Sequence, residues 1–240
     1  MQFEFKFDLH FVFCMLQYFS VIEMNFKYAA FDMDGTLLDT MDYWRNIVEY
    51  YAKMTNLPKP SFSQEDIDIA SHRPTHLQIE YLKERYSDEA VTKITAEDVY
   101  DVLEYCYKSE SRVRHGVIEM LDVLKQNGVR MCVVSATPSY LIEIALKNAG
   151  IFDYFEFVLS PTEYPKGKQD PEIFFGAANR FGCEVNEIAL FEDMLYSIKT
   201  AHSIGMYIVA VKEKYAEHFS DEIKLLSNEY YDEFTEFKTN

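Results

Sequence analysis

Short apolar runs separated by helix-length segments dominate the hydrophobic pattern of the chain. Buried parallel strands are near-continuous apolar runs. Five runs predict such strands, and a sixth segment predicts a short edge strand: Tyr28–Phe31, Arg130–Val134, 154–159, 188–191, Tyr207–Val211 and Glu229–Tyr231. The segments between the later runs predict helices at 117–126, from Pro138 to Gly150, from Pro171 to Phe181, up to Gly205, and at 216–226. This alternation predicts right-handed crossovers and a parallel sheet, which places ligands at the carboxyl ends of the strands.

The segment after the first run has a composition and a hydrophobic spacing typical of helices. Residues 36–115 contain no glycine, although the chain holds eight. Trp44, Ile47, Val48 and Tyr51 recur at the spacing of one buried helix face. Further helices are predicted at 67–70, 77–86 and 96–107, so residues 42–112 read as an all-helical insert. The predicted fold class is therefore α/β: a Rossmann-like, doubly wound parallel sheet with an inserted all-helical domain.

Composition and charge narrow the classes of function. The chain has 240 residues, of which 48% are hydrophobic and 26% charged, so disorder is disfavoured, and one large domain or a domain with an insert fits. A net charge of -17 disfavours nucleic acid as a partner. A small phosphorylated substrate stays possible, because a metal ion and a few cations can invert the local field.

Cysteine spacing and hydropathy bear on the cellular compartment. Cys14, Cys106, Cys132 and Cys183 lie far apart and form no C-x-x-C motif, so neither zinc nor a disulfide framework is supported. A reducing cytoplasm fits this pattern. No run of about 18 apolar residues is present, and no membrane partner is expected.

Two aspartates directly follow the first predicted strand. Asp32 and Asp34, two residues apart, leave the strand on the same side, and Gly35 permits a sharp turn. Such a pair can hold a hard cation and supply a carboxylate nucleophile beside a carboxylic acid. Asp-Gly between hydrophobic residues is also a β-hairpin signal, so both interpretations stand on the local sequence.

Polar residues follow two further predicted strands. Ser135 comes after the run 130–134, and Asp193 comes after the run 188–191. In a parallel sheet these positions and Asp32 converge at one edge. A hairpin would not explain that convergence, so an active site is favoured.

Four motifs occur in the order typical of one family. They are Asp32-Met33-Asp34-Gly35-Thr36, the apolar strand ending in Ser135, the loop Gly167-Lys168-Gln169-Asp170-Pro171, and the acidic pair Glu192-Asp193. Together they resemble the haloacid dehalogenase superfamily of phosphotransferases, from about residue 26 to the end of the chain. Gln169 stands where this family usually has proline.

The resemblance implies a role for each acidic residue. Asp32 would attack phosphorus and form an aspartyl-phosphate, while Asp34 would serve as general acid and then general base. Mg²⁺ would be held by Asp32, the main-chain carbonyl of Asp34, and Asp193, with Glu192 nearby. Glu192-Asp193 has an alternative interpretation as a helix cap, although its position after a strand favours the metal site.

The resemblance also implies how phosphate would be bound. Ser135 and the main-chain amide of Ala136 would contact phosphate oxygens, and Lys168 would supply a positive charge. Lys166, two residues away, is a rival for that role. Lys168 is favoured because it directly precedes Gln169-Asp170-Pro171, as in the family motif.

The helical insert resembles the family's cap domain, which excludes water and selects the substrate. Arg73 lies in a cap loop where relatives place substrate contacts, although an exposed surface arginine is a nearly equal alternative. The implied domains are a core at 24–41 and 113–240 and a cap at 42–112.

The expected function is a Mg²⁺-dependent phosphatase acting on a small phosphorylated metabolite. Sugar phosphomutases of the family carry a histidine within the segment that corresponds to 39–44, and none is present here. A β-phosphoglucomutase-like enzyme and a non-catalytic binding module are the alternatives.

Residues 1–23 form an N-terminal extension ahead of the recognisable fold. Either it is an amphipathic arm, or the start was assigned too early and Met24 is the natural start. The second interpretation is favoured, because the resemblance begins near residue 26.

Overall fold

The computed structural model describes residues 25–71 and 75–237 of the chain. The prediction for residues 1–23 lies outside the described residues. Among the described residues, no helix combines the length and apolar character needed to cross a bilayer.

Within the described residues, six parallel strands form the central sheet. In chain order they are β1 (Tyr28–Phe31), β2 (Arg130–Val134), β3 (Val158–Leu159), β4 (Ile188–Glu192), β5 (Tyr207–Val211) and β6 (Glu229–Tyr231). The order across the sheet is β3-β2-β1-β4-β5-β6, so β1 lies between β2 and β4. Every pair of neighbours is parallel, as predicted.

Eleven α-helices connect and flank these strands in the described residues. Six lie between β1 and β2 before the core resumes: α1 (Met41–Arg45), α2 (Ile47–Met54), α3 (Gln64–Ser71), α4 (Thr75–Arg85), α5 (Glu89–Lys93) and α6 (Ala96–Ser109). The others belong to the alternating part: α7 (Val117–Gln126), α8 (Ser139–Asn148), α9 (Glu172–Phe181), α10 (Leu195–Ser203) and α11 (Ser220–Leu226).

Helices cover both faces of the sheet, so its strands are buried on both faces. Ala29 and Phe31 of β1 face the cluster that includes α7 and α8, whereas Ala30 faces the cluster of α9 and α10. Phe31 stacks on Phe191 with ring centroids 4.3 Å apart. Full burial of such a side chain contributes about 1.5–3 kcal/mol. The doubly wound arrangement is therefore confirmed.

The helical insert is also confirmed as a feature of the fold. Its last helix, α6, begins with a capping box in which Thr95 and Asp98 bond each other's main-chain amides. Helix α6 packs against the core helix α8, so it anchors the insert to the sheet domain. The predicted domain bounds, 42–112, stay a prediction.

Three details differ from the sequence-based expectations. The helix carrying Trp44 and Tyr51 is two helices, because Asn46 leaves helical geometry and its side chain bonds the carbonyl of Asp42. The predicted strand at 154–159 is reduced to β3, because Phe152–Tyr154 forms a 3-10 turn after α8. The first part of the helix predicted at 216–226 is likewise a 3-10 turn, Lys214–Phe219, and α11 follows it.

Candidate active site

The carboxyl ends of β1, β2 and β4 meet at one edge of the sheet. Phe31, the last residue of β1, pairs with Val133 of β2 and Phe191 of β4. Asp32 follows at once, and its amide donates to the carbonyl of Phe191 at 2.9 Å. Ser135 and Asp193 directly follow the other two strands, so the predicted convergence occurs. Because β1 has a parallel neighbour on each side, the hairpin interpretation of Asp34-Gly35 is wrong.

A tight turn carries the chain from β1 past the site. Gly35 adopts φ +92, a conformation that residues with a Cβ rarely take. A Cβ at this position would lie 2.7 Å from Oδ2 of Asp193. Glycine is therefore required by the backbone angle and by the close approach of Asp193.

Lys168 lies inside the site and joins two acids. Its Nζ donates to Oδ1 of Asp32 at 2.5 Å and to Oε2 of Glu192 at 2.7 Å. Burial alone would lower the pKa of Lys168, but Asp32 and Glu192 raise it well above its ordinary value. Lys166 is exposed and pairs with Asp170 at 2.8 Å. Of the two lysines, Lys168 is the one in the site.

Glu192 and Asp193 are both completely buried. Oε1 of Glu192 accepts from the amides of Asp193 and Met194, each at 3.1 Å, so this acid does support the start of α10. Oδ1 of Asp193 accepts from the hydroxyl of Thr36 at 2.9 Å. Oδ2 of Asp193 is buried and has no hydrogen-bond partner within residues 25–71 and 75–237. An orphaned carboxylate oxygen of this kind is costly unless a cation or donor reaches it.

The buried acids form a group that fits a divalent cation. Carboxylate oxygens of Asp32, Glu192 and Asp193 lie within 4.8 Å of one another. Their three negative charges face the single positive charge of Lys168, which leaves two unbalanced when all are ionised. Burial raises the pKa of Asp32 to about 7 and that of Asp193 well above its ordinary range. An oxygen-preferring cation would balance these charges and satisfy Oδ2 of Asp193.

Three hydroxyl groups contact the carboxylate of Asp34. Oδ1 accepts from Thr40 at 2.6 Å and from Tyr107 at 2.7 Å. Oδ2 accepts from Thr137 at 2.8 Å. None of these three residues was assigned to the site from the sequence. Thr40 and Thr137 each lie close to a predicted motif, whereas Tyr107 reads as an ordinary buried aromatic at the end of a helix.

The predicted phosphate-binding residues lie at the end of β2. Ser135 is buried, and its Oγ accepts from the amide of Thr137 at 3.1 Å, which leaves its own proton free to be donated. Ala136 is exposed, and α8 begins three residues later. Main-chain amides ahead of a helix are suited to an anion. Arg73, the predicted substrate contact in the insert, lies outside the described residues.

Comparisons with known proteins agree with this geometry. The profile of the family described as haloacid dehalogenase-like hydrolase matches residues 29–211. The phosphoglycolate phosphatase of Thiobacillus denitrificans is 28% identical over 194 residues, 79% of this chain and 84% of the relative. The β-phosphoglucomutase of Bacillus subtilis is 25% identical over 203 residues, 77% of this chain and 83% of the relative.

A solved structure shows the same fold. The crystal structure of a predicted phosphoglycolate phosphatase from Haemophilus somnus superposes with a TM-score of 0.70 at 23% identity, covering 88% of this chain and 96% of the other. The matched profile covers most of the chain and spans the strand-end acids and Lys168. The resemblance noted from the motifs is confirmed, and the chain belongs to the haloacid dehalogenase-like hydrolases.

Proposed function

We propose that the chain is a Mg²⁺-dependent phosphatase that hydrolyses a small phosphorylated metabolite through an aspartyl-phosphate. The observation that carries the proposal is the buried group at the sheet edge. It consists of Asp32, Glu192 and Asp193 around Lys168, with Asp34 beside it. Several relatives are named as phosphatases, which supports this reaction type.

Asp32 is the proposed nucleophile. One carboxylate oxygen forms a bond to phosphorus while the bond from phosphorus to the leaving oxygen breaks. Lys168 holds Oδ1 of Asp32, so the side chain cannot rotate freely away from the approaching phosphoryl group. Because the side chain is already oriented, less entropy is lost on reaching the transition state.

Asp34 is the proposed proton carrier. In the first half-reaction it gives its proton to the departing oxygen of the substrate, which leaves as an alcohol. In the second half-reaction it takes a proton from the water that attacks the aspartyl-phosphate. Phosphate then departs, Asp32 is restored as a carboxylate, and Asp34 is protonated again.

The metal site and the phosphate contacts complete the proposal. Asp32, Asp193 and the main-chain carbonyl of Asp34 would hold Mg²⁺, with Glu192 shared between this site and Lys168. When bound, the ion supplies positive charge that neutralises the phosphate oxygens. Ser135, the amide of Ala136 and Lys168 would bind the phosphoryl group, and Arg73 is the proposed contact from the insert.

The substrate is proposed to be a small molecule taken from the cytoplasm. A helical lid over a buried acid cluster admits a metabolite more readily than a polymer, and the net charge of -17 repels nucleic acid. A β-phosphoglucomutase-like reaction is the second outcome to be tested, because one relative carries that name. Residues 39–44 hold Trp44 and no histidine, which favours hydrolysis.

A panel assay tests the proposal. Purified protein is given p-nitrophenyl phosphate, sugar phosphates, nucleotides and phosphoglycolate with Mg²⁺ or with EDTA, and β-glucose 1-phosphate with its bisphosphate activator. The control variant Asp153→Asn changes an exposed aspartate outside the site, and it is expected to release phosphate in a metal-dependent way. Asp32→Asn is expected to release none. Activity that survives Asp32→Asn, or isomerisation without phosphate release, would contradict the proposal.

A further inference from the structure

Tyr107 approaches the active site from the helical insert and not from the sheet. It lies in the last turns of α6, 73 residues along the chain from Asp34. Its hydroxyl donates to Oδ1 of Asp34 at 2.7 Å, the same oxygen that accepts from Thr40. Together with the bond from Thr137 to Oδ2, these contacts occupy both oxygens of the carboxylate.

The phenol of Tyr107 is held in place by its surroundings. The side chain is completely buried, and its ring meets Tyr43 edge to face with centroids 6.3 Å apart. The main-chain carbonyl of Tyr107 accepts from the side chains of Asn148 and Ser111, each at 2.8 Å. Asn148 belongs to the core helix α8, so the backbone of Tyr107 is tied to the sheet domain. The position of its hydroxyl group is therefore restrained relative to the sheet domain.

We propose that Tyr107 is a positioning residue that orients the carboxyl group of Asp34 toward the leaving oxygen of the substrate. The inference rests on the proposed function of Asp34 and adds a residue from the insert to that site. Proton transfer requires the acid to lie within hydrogen-bond reach of the leaving oxygen. Without Tyr107, Oδ1 keeps one donor, Thr40, and the carboxyl group gains rotational freedom.

A purely structural role makes a different prediction. A buried phenol needs a hydrogen-bond partner, and Asp34 would satisfy it whatever Asp34 does. Loss of that bond would then affect every substrate alike. A positioning role affects substrates according to how much their leaving oxygen needs a proton, because p-nitrophenolate departs unaided and an alkoxide does not.

The test compares Tyr107→Phe with wild type on two substrates. One is p-nitrophenyl phosphate, and the other is phosphoglycolate or glycerol phosphate, whichever the wild type hydrolyses faster. The value of kcat/KM reports the first half-reaction. We expect a fall of about 10–100-fold with the alkyl phosphate and of less than about 3-fold with p-nitrophenyl phosphate. General acids contribute about 10²–10⁴-fold, and loss of positioning removes part of that factor. Equal falls on both substrates, or none on either, would overturn the proposal.

Tyr43→Phe is the matched control. Its hydroxyl donates to the carbonyl of Glu110 at 2.8 Å and does not contact Asp34, so the ratio between the two substrates should equal that of wild type. Thermal melting verifies folding. Should Tyr107→Phe not fold, Thr40→Val and Thr40→Ser test the bond to the same Oδ1. The serine variant is expected to restore the substrate ratio that valine disturbs, and a uniform loss in Thr40→Val would refute the positioning role.

Failure of the proposed function gives a separate result. A wild-type protein without metal-dependent phosphatase activity would remove both proposals. Normal wild-type activity that is lost in Asp32→Asn, with an unchanged substrate ratio in Tyr107→Phe, would remove only the role of Tyr107.

Discussion

Lys168→Met removes a cation that contacts both Asp32 and Glu192. Lys168 is 2% exposed, and its Nζ lies 2.5 Å from Asp32 and 2.7 Å from Glu192. Methionine keeps most of the length and the apolar part of the side chain, so packing changes little. The two carboxylates would then remain buried without the ammonium group that pairs with them.

The magnitude of the effect follows from burial. Removing one partner from a buried ion pair costs about 3–5 kcal/mol, because the remaining charge stays desolvated. Lys166→Met is the matched control two residues away. The side chain of Lys166 is 72% exposed in its pair with Asp170, and such surface pairs contribute little to stability because water screens them. In a chain of this size each kcal/mol shifts Tm by about 2–4 °C. In metal-free protein, Tm should therefore fall on the order of 10 °C in Lys168→Met and by a few degrees at most in Lys166→Met.

Thermal melting in EDTA, and again with Mg²⁺, measures these shifts. Because a cation partly replaces the lost positive charge, Mg²⁺ should recover more stability in Lys168→Met than in wild type. Adding Glu192→Gln should also restore part of the loss by removing one unpaired charge. Equal shifts in the two lysine variants would refute the reasoning, since they would show that Lys168 does not balance buried acids.

Gly35→Ala should destabilise the protein by about 1–3 kcal/mol, because alanine is strained at φ +92 and its Cβ would press on Asp193. Thermal melting measures the loss of stability, and a Mg²⁺ titration measures the effect of the contact with Asp193. Asp193→Ala should sharply weaken activation by Mg²⁺, and an unchanged magnesium dependence would contradict the metal assignment. Because burial raises the pKa of Asp32 from 3.8 to about 7, ionisation of Asp32 opposes folding. Metal-free protein should therefore lose stability as the pH rises from about 4 through about 7, and Asp32→Asn should flatten that profile when melts are compared across the range.

The strands that position the site were predictable because their signals are local. Arg130–Val134 and Tyr207–Val211 are apolar runs bounded by helices, and the structure has them with the predicted bounds. Parallel pairing then forces the residues after neighbouring strands to one edge. Asp32, Ser135 and Asp193 were predicted to converge on this argument alone.

Other features depend on packing that no local pattern encodes. The aromatic residues at 154–157 favour a strand by propensity. In the structure, however, Tyr154 belongs to the 3-10 turn Phe152–Tyr154 that follows α8. The contact of Tyr107 with Asp34 joins a cap helix to a loop 73 residues away. A buried tyrosine on an amphipathic helix is indistinguishable in sequence from ordinary core.

The surroundings of Lys168 illustrate an intermediate case. The loop motif predicted that Lys168 and not Lys166 enters the site, and the geometry places it there. The motif did not indicate that its ammonium group would bond Asp32 and Glu192 at once. That pairing follows from burial, because a desolvated ammonium must be surrounded by acceptors.

The central claim is that Asp32 becomes covalently phosphorylated during turnover. The most direct measurement is an acid quench of the enzyme during hydrolysis of a phosphomonoester radiolabelled in its phosphoryl group, followed by peptide mapping. Label on the peptide that contains Asp32 is expected in wild type and in Asp153→Asn, and no label is expected in Asp32→Asn. Metal-dependent hydrolysis with no label on that peptide, or label that persists in Asp32→Asn, would contradict the account.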